Sequence, residues 1–463
     1  MTAAFATATD IAAAVASGRS TATGVMTACL DRIERLNPVL NAFTAVTADR
    51  ARLRAGALDA AIAAGVEPGP LAGVPFAVKN LIDVAGLPTL AGSKINRNHA
   101  PATADAPLIA RLEAAGAILV GALNMGEYAY DFTGENVHEG PSRNPFDTAR
   151  MSGGSSGGSG SAVGGGLVPL ALGSDTNGSI RVPSSFCGLF GLKPTYGRLT
   201  RSGSFPFVSS LDHLGPLARS TSDLAAAYDA MQGYDPTDPV CVDRPAEPVR
   251  GLFGSGIGGL RIASADGYFR TGASAEALAA LDAIAAALGA TESVTIPEVQ
   301  RARSAAYVIT TTEGAALHLN RLRTRPDDFD SDVRDRLIAG ALVPAAAVVQ
   351  AQKFRRWFRE AMLRLFQHVD AILAPATPCV APLIGQKTFV LEGVEMPLRP
   401  NIGIYTQPFS FIGLPVVAVP VPTPLGLPIG VQIITAPWRE DIALRIAHAL
   451  EASGAASAPV PNL

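Results

Sequence analysis

The stretch from Ser152 to Ser174 carries no charged residue and is dense in glycine. Gly153-Gly154-Ser155-Ser156-Gly157-Gly158-Ser159-Gly160-Ser161 runs directly into Ala162-Val163-Gly164-Gly165-Gly166-Leu167-Val168-Pro169-Leu170-Ala171-Leu172. By composition the first half reads as a flexible Gly/Ser linker. The apolar second half argues against that, because a solvated linker does not lead into a hydrophobic, glycine-rich segment. Glycines in that number permit positive φ and close backbone approach, so several N–H groups can converge on one concave spot and hold an anion. No Lys-Ser or Lys-Thr ends the run and no G-x-G-x-x-G follows a strand there, which disfavours a nucleotide cradle and leaves an oxyanion as the expected guest. A second run, Gly173-Ser174-Asp175-Thr176-Asn177-Gly178-Ser179-Ile180-Arg181, places Ser179 directly after Thr176, Asn177 and Gly178. Their N–H groups are candidates to stabilise charge developing on an attacked carbonyl.

The remainder of the 463 residues is globular in character, 48% hydrophobic and 17% charged. The balance of 37 basic against 40 acidic residues leaves no electrostatic footprint for nucleic acid or an acidic membrane surface. The longest uncharged run, from Pro400 to Trp438, is broken repeatedly by proline and is not expected to form a membrane helix. Cys29, Cys187, Cys241 and Cys379 are far apart and form neither a C-x-x-C pair nor a cluster with histidine, so no metal or other cofactor is expected. No Lys or Arg precedes Arg19 and Asp10 interrupts the first apolar stretch, a pattern unlike a signal peptide. The expected compartment is the reducing cytoplasm.

Residues 8–65 read as helices, with Thr21–Leu36 and Ala45–Ala64 rich in Ala, Leu and Arg. Short apolar runs at Val74–Lys79 and Ala117–Gly121, with a helical pattern over Ala106–Ala115 between them, predict buried strands in α/β order. The same alternation returns at Leu260–Ala263, Ser274–Leu288 and Ser293–Ile296. Long helices are expected over Ala302–Leu322 and Pro344–Val369. Strands follow at Ala371–Ala374, Val416–Val421 and Ile429–Thr435, and a helix at Ile442–Glu451. The Pro-, Gly- and Asp-rich segment Gly233–Gly254 is the best candidate boundary, but strands on both sides can share one sheet. The expectation is one large α/β domain with a central mixed sheet surrounded by helices.

A serine nucleophile needs a base. G-x-S-x-G occurs around Ser155 and again around Ser156, as in a nucleophile elbow. The elbow should follow a hydrophobic strand, whereas Asn144–Met151 is polar, and His213, His318, His368 and His448 stand in no distinguishing context. Lysine offers the other solution. Lys79 ends the apolar run Val74–Val78, where burial would lower its pKa. A free lysine with a pKa of about 10.4 is neutral in only about four molecules per ten thousand at pH 7, so bringing it near 7 takes about 4 to 5 kcal/mol of environmental bias. The competing reading is a strand-end lysine that snorkels to water.

Taken together, Val-Pro-Phe-Ala-Val-Lys-Asn around Lys79, the Gly-Gly-Ser-Ser-Gly-Gly-Ser run and Gly-Ser-Asp-Thr-Asn-Gly-Ser-Ile-Arg resemble the amidase signature family in order and spacing. The similarity spans nearly the whole chain. It implies a single amidase domain over 1–463, with N-terminal helices at about 8–65 and a signature core at about 70–220. It also implies a Ser-Ser-Lys triad: Ser179 as nucleophile, Ser155 as the bridging serine after a cis peptide bond, and Lys79 as the terminal base. The oxyanion hole would be Thr176, Asn177, Gly178 and Ser179, and Asp175 and Arg181 would brace the loop. Asn177 departs from the Gly-Gly-Ser common at this nucleophile. Asparagine tolerates left-handed geometry, so the hole can survive while a side chain edges into the pocket.

That Asn form, together with the segments 90–96, 127–132 and 322–329, resembles the branch that hydrolyses 1-carboxybiuret in cyanuric acid breakdown. The resemblance implies release of ammonia from a small carboxylated urea-type amide. It also implies a small helical partner similar to the C subunit of tRNA-dependent amidotransferases, in a homodimer or heterotetramer. The alternative is the A subunit of a glutamyl-tRNA(Gln) amidotransferase. A substrate carboxylate calls for an arginine, and Arg323 and Arg325 in Leu-Arg-Thr-Arg-Pro are the candidates, with Tyr130 adding a hydroxyl.

Overall fold

The computed structural model describes residues 6–463. Its framework is an eleven-stranded sheet. In chain order the strands are β1 (Phe43–Val46), β2 (Pro75–Lys79), β3 (Ile118–Leu123), β4 (Leu170–Asp175), β5 (Phe190–Lys193), β6 (His213–Ala218), β7 (Ile262–Ala265), β8 (Glu292–Val294), β9 (Ala371–Pro375), β10 (Val416–Pro422) and β11 (Pro428–Thr435). Their order across the sheet is β1-β3-β2-β4-β6-β5-β10-β11-β9-β7-β8. Pairing is parallel for β3/β2, β2/β4, β9/β7 and β7/β8, and antiparallel elsewhere. Strands from both sides of the Pro/Gly-rich segment share this sheet, with β5 beside β10, so that segment divides nothing. The central strands are buried along their whole length, as their unbroken apolar runs require of strands covered on both faces.

The expected helices and strands are largely present, whereas β4, β5, β6 and a helix at Thr221–Met231 have no counterpart among the expected elements, and two further regions differ. The chain at Phe43–Val46 is a strand and not the start of a helix, with a helix following only at Ala48–Ala63. Alanine content favours helix there, but Phe43, Thr44 and Val46 fit a pleated edge, and β1 gains an antiparallel partner in β3. The preceding helix, Ala22–Leu40, passes through Pro38 and ends at Asn41 in the left-handed region. Asn37 Oδ1 accepts from the N–H groups of Ala42 (2.9 Å) and Phe43 (2.7 Å), which turns the chain into β1. The other difference is a helix at Ser331–Ala341 that has no counterpart among the expected elements; Asp330 caps it through Asp332 N at 2.9 Å.

Among the described residues, no single helix is long and apolar enough to cross a membrane. The Gly/Ser run is no linker: residues 152–166 are all buried, and Gly157–Gly164 is a helix. Close backbone approach explains its glycines. A Cβ at Gly158 would lie 2.5 Å from both Ala42 O and Asn124 N.

Candidate active site

Parallel pairing of β2 with β4 sets Val78 opposite Leu172, so Lys79 and Ser174 emerge together at the carboxyl ends of adjacent strands. This is where open α/β sheets place ligands. The Lys79 side chain is wholly buried. Its Nζ lies 2.6 Å from Ser155 Oγ, 2.8 Å from Ser174 Oγ and 3.0 Å from Ser156 Oγ. Burial pulls its pKa from the ordinary lysine range to about 7, against the opposing pull of Asp175, Asp212 and Asp131. The snorkelling alternative fails because no part of this side chain reaches water. Ser155 follows a cis Gly154–Ser155 peptide bond at the entrance to the Gly157–Gly164 helix.

The loop after β4 carries Ser179. The backbone N–H groups of Thr176, Asn177, Gly178 and Ser179 donate no hydrogen bond within the described residues. They precede the short helix Arg181–Phe186. Gly178 has φ +145°, and a Cβ there would fall 2.2 Å from Thr406 Oγ1, so glycine is demanded twice over. Beneath the loop Arg181 and Asp175 form a fully buried pair, with Nε to Oδ2 and Nη2 to Oδ1 both at 3.0 Å. Burial alone would raise the Asp175 pKa, but the Arg181 guanidinium holds it well below the usual carboxylate range. Asp175 Oδ2 also accepts from Ile180 N at 3.2 Å, and Arg181 Nη1 reaches Thr406 O at 3.0 Å and Gln432 Oε1 at 2.6 Å. The network anchors both ends of the loop.

Ser179 is nearly buried and opens onto a small pocket shared with Tyr130, Asn177, Thr310, Arg336 and Arg399. Among the described residues no hydrogen bond joins Ser179 to Ser155. Asn177 does edge into this pocket, with Nδ2 donating to Thr310 Oγ1 at 3.0 Å.

Tyr130 thus lies beside Ser179. Arg323 and Arg325 do not. Both are exposed, at the end of the Val299–Thr324 helix and just beyond it. Arg325 Nε binds Asp328 at 2.7 Å, and neither residue lines the pocket. The arginines that do line it are Arg336, on the unexpected Ser331–Ala341 helix, and Arg399. Sequence reasoning also passed over Ser156 and Ser174 as neighbours of Lys79. Ser174 stands in the second motif, but its place beside Lys79 comes from the parallel pairing of β2 with β4, which the motif does not announce.

The histidines lie elsewhere. His213 is buried, with Nδ1 at 3.0 Å from Asp175 O and Nε2 at 3.3 Å from Lys193 Nζ. Burial holds it neutral. His318 sits among Tyr128, Phe205 and Phe329, His448 stacks on Phe253, and His368 is exposed. None contacts Ser155, Ser156 or Ser179, so the elbow reading lacks its base. Among the described residues, no three His, Cys, Asp or Glu side chains gather so as to hold a metal ion.

The amidase family profile matches residues 24–444. AtzE, the 1-carboxybiuret hydrolase component of Pseudomonas sp. (strain ADP), is 53% identical over 96% of this chain and 98% of its own. The A subunit of the glutamyl-tRNA(Gln) amidotransferase of Methylococcus capsulatus is 38% identical over 90% and 91%. A solved structure, described as a vestigial protein complex bearing on the origins of an s-triazine catabolic enzyme, superposes with a TM-score of 0.97 at 52% identity, covering 98% of this chain and all of that one. With this sheet, this buried lysine and serine network and these relatives, the chain belongs to the amidase family and is a hydrolase of amide C–N bonds.

Proposed function

We propose that this hydrolase cleaves a small carboxylated urea-type amide such as 1-carboxybiuret, releasing ammonia, through Ser179, Ser155 and Lys79. The observation that carries the reading is the 2.6 Å contact of a fully buried, easily neutralised Lys79 with Ser155, beside a loop whose N–H groups are free. Neutral Lys79 takes the Ser155 proton while Ser155 takes that of Ser179. The Ser179 oxygen bonds to the amide carbon, and the carbonyl electron pair moves onto oxygen toward the N–H groups of residues 176–179. The tetrahedral species collapses as Ser155 returns its proton to the departing nitrogen, which leaves as ammonia, and Lys79 reprotonates Ser155. Water then attacks the acyl ester by the same relay, freeing the acid and Ser179. The Ser155 to Ser179 hydrogen bond closes when substrate enters, as catalytic contacts often tighten only in the complex.

The similarity to AtzE, itself one component of a hydrolase, and to the A subunits of amidotransferases supports a small helical partner, in a homodimer or a heterotetramer, and a cytoplasmic setting. The four cysteines are free, which fits a reducing compartment. Ammonia release measured side by side on 1-carboxybiuret, biuret, allophanate and glutamine tests the reading. Preference for 1-carboxybiuret is expected, and preference for glutamine would instead assign the chain to an amidotransferase.

A further inference from the structure

The loop that carries Ser179 is held at Asp175, where β4 ends, by Arg181, and at Asn177 by the Thr406 hydroxyl, which donates to Asn177 O at 2.7 Å. Thr176, between them, has a holder of its own. Its Oγ1 donates to Asp212 Oδ1 at 2.6 Å, the only side-chain hydrogen bond that Thr176 makes among the described residues. Asp212 Oδ2 accepts from the N–H groups of Phe207 (2.8 Å) and Val208 (2.9 Å). All three partners of this carboxylate are donors, the arrangement that an ionised aspartate satisfies. Desolvation raises the Asp212 pKa, and these three bonds together with the Arg201 charge oppose the rise.

The turn that bears Asp212 is itself fixed. Leu211 N and Asp212 N donate to Val208 O at 2.8 and 2.9 Å. Ser209 O accepts from the Tyr196 hydroxyl at 2.7 Å, and Ser210 O from Arg355 Nη2 at 2.7 Å. Asp212 does not line the Ser179 pocket, whereas Thr176 and Phe207 do, so its influence on a substrate runs through them. The loop needs such an anchor. It contains Gly178, the residue type with the least backbone stiffness, and its N–H groups are useful to a transition state only if they are aimed before the charge develops. A Thr176 hydroxyl tied at 2.6 Å to a braced carboxylate resists the peptide rotation that would turn those N–H groups away.

We propose that Asp212 is a positioning residue of the reaction: through Thr176 it keeps the first N–H groups of the oxyanion loop aimed at the carbonyl that Ser179 attacks, and through Phe207 it ties that loop to the wall of the same pocket. The proposal rests on the reading of residues 176–179 as the oxyanion hole and adds the group that aims its first donors. No bond to Asp212 forms or breaks in the reaction. Its contribution is to the geometry that meets the transition state, so it falls on kcat and not on substrate affinity.

The test uses the full chain with whichever of 1-carboxybiuret, biuret, allophanate and glutamine it turns over fastest. Thr176→Val comes first, because it keeps the β-branched shape and leaves the Asp212 bonds to Phe207 and Val208 in place. It should lower kcat by about 30-fold, as for a lost charge-assisted hydrogen bond, with KM changed by less than about threefold. Thr176→Ser, which keeps a hydroxyl, should recover most of that loss. Asp212→Ala should lose at least as much as Thr176→Val, and adding Thr176→Val to Asp212→Ala should cost no more kcat. Asp212→Asn, whose amide can accept from the turn and donate to Thr176 Oγ1, should fall between Asp212→Ala and wild type. The rising pH limb of Thr176→Val should stay near 7, since the hydroxyls around Lys79 are intact. Multiplying losses in the double variant, a loss confined to KM, or a displaced limb in Thr176→Val would each overturn the proposal. If Asp212→Ala does not fold, the two Thr176 variants decide alone, and wild-type kcat in folded Thr176→Val overturns it. In each of these cases a kcat lost in folded Gly178→Ala leaves the oxyanion reading standing, whereas wild-type kcat there removes that reading and the role of Asp212 with it.

Discussion

Lys79 Nζ and Ser174 Oγ lie 2.8 Å apart across the ends of two adjacent parallel strands. With Ser155 and Ser156 they surround the nitrogen with three hydroxyls. An ammonium donates to all three. A neutral amine donates to two and accepts from the third, which rotates its proton inward. The shell therefore serves both protonation states without moving heavy atoms, as a base that cycles between them requires. Because burial brings the Lys79 pKa to about 7, kcat/KM should rise with pH through an apparent pKa near 7. Lys79→Met should lose that limb along with nearly all activity. Stability follows the same proton: between about pH 7 and 10.4 the unfolded chain binds it and the folded chain does not, so wild type should gain stability with rising pH relative to Lys79→Met. Denaturation midpoints across that range decide the sign.

Ser156 and Ser159 should behave differently although they stand three residues apart. Ser156 Oγ is one of the three neighbours of Lys79 and also meets Ser174 N and O, both at 3.2 Å. Ser159 donates to Leu172 O at 3.0 Å and serves packing. Ser156→Ala should cost roughly tenfold in kcat, in keeping with a lost neutral hydrogen bond, and Ser159→Ala should leave the rate near wild type. Trapping and mass spectrometry should place the acyl group on Ser179 in both. A label on Ser155 or Ser156 would refute the assignment of the nucleophile.

These contacts also show what was legible in the residues. Lys79, Ser155 and Ser179 stand in contiguous motifs, and an apolar strand ending in lysine forecasts its own burial. The parallel neighbour that brings Ser174 to Lys79 is a tertiary fact, as is the pocket wall. Tyr130, Thr310, Arg336 and Arg399 come from four distant segments, and no periodicity links them. Arg323 and Arg325 drew attention because their segment looked distinctive, yet the distinctive segment ends in a surface ion pair. At Phe43–Val46 local composition pointed to helix, and the strand exists because β3 offers an edge.

Asp175→Asn should destabilise the fold by about 3 to 5 kcal/mol, since it leaves the Arg181 guanidinium buried without its counter-charge. The same carboxylate pulls the Lys79 pKa upward. In whatever folded protein remains, the rising limb of the pH profile should therefore move to lower pH. Thermal or urea denaturation checks the first effect and a pH series the second, and an unshifted limb would mean that Asp175 does not act on Lys79 across this distance.

Gly178→Ala isolates the loop from the lysine. At φ +145° an L side chain is strained, and its Cβ would approach Thr406 Oγ1 to 2.2 Å and Thr406 Cβ to 2.8 Å. Thr406 cannot retreat freely, because its hydroxyl donates to Asn177 O at 2.7 Å and its carbonyl accepts from the buried Arg181 at 3.0 Å. The loop must give way instead, turning the N–H groups of residues 176–179 away from the developing oxyanion. Loss of one such donor costs roughly a hundredfold to a thousandfold in kcat. The expected result is a kcat reduced by about that factor, a KM changed far less, and a pH limb still near 7 because the Lys79 shell is untouched. Circular dichroism and a melting curve check that the variant is folded. A folded Gly178→Ala enzyme with wild-type kcat would show that these N–H groups do not carry the charge of the transition state.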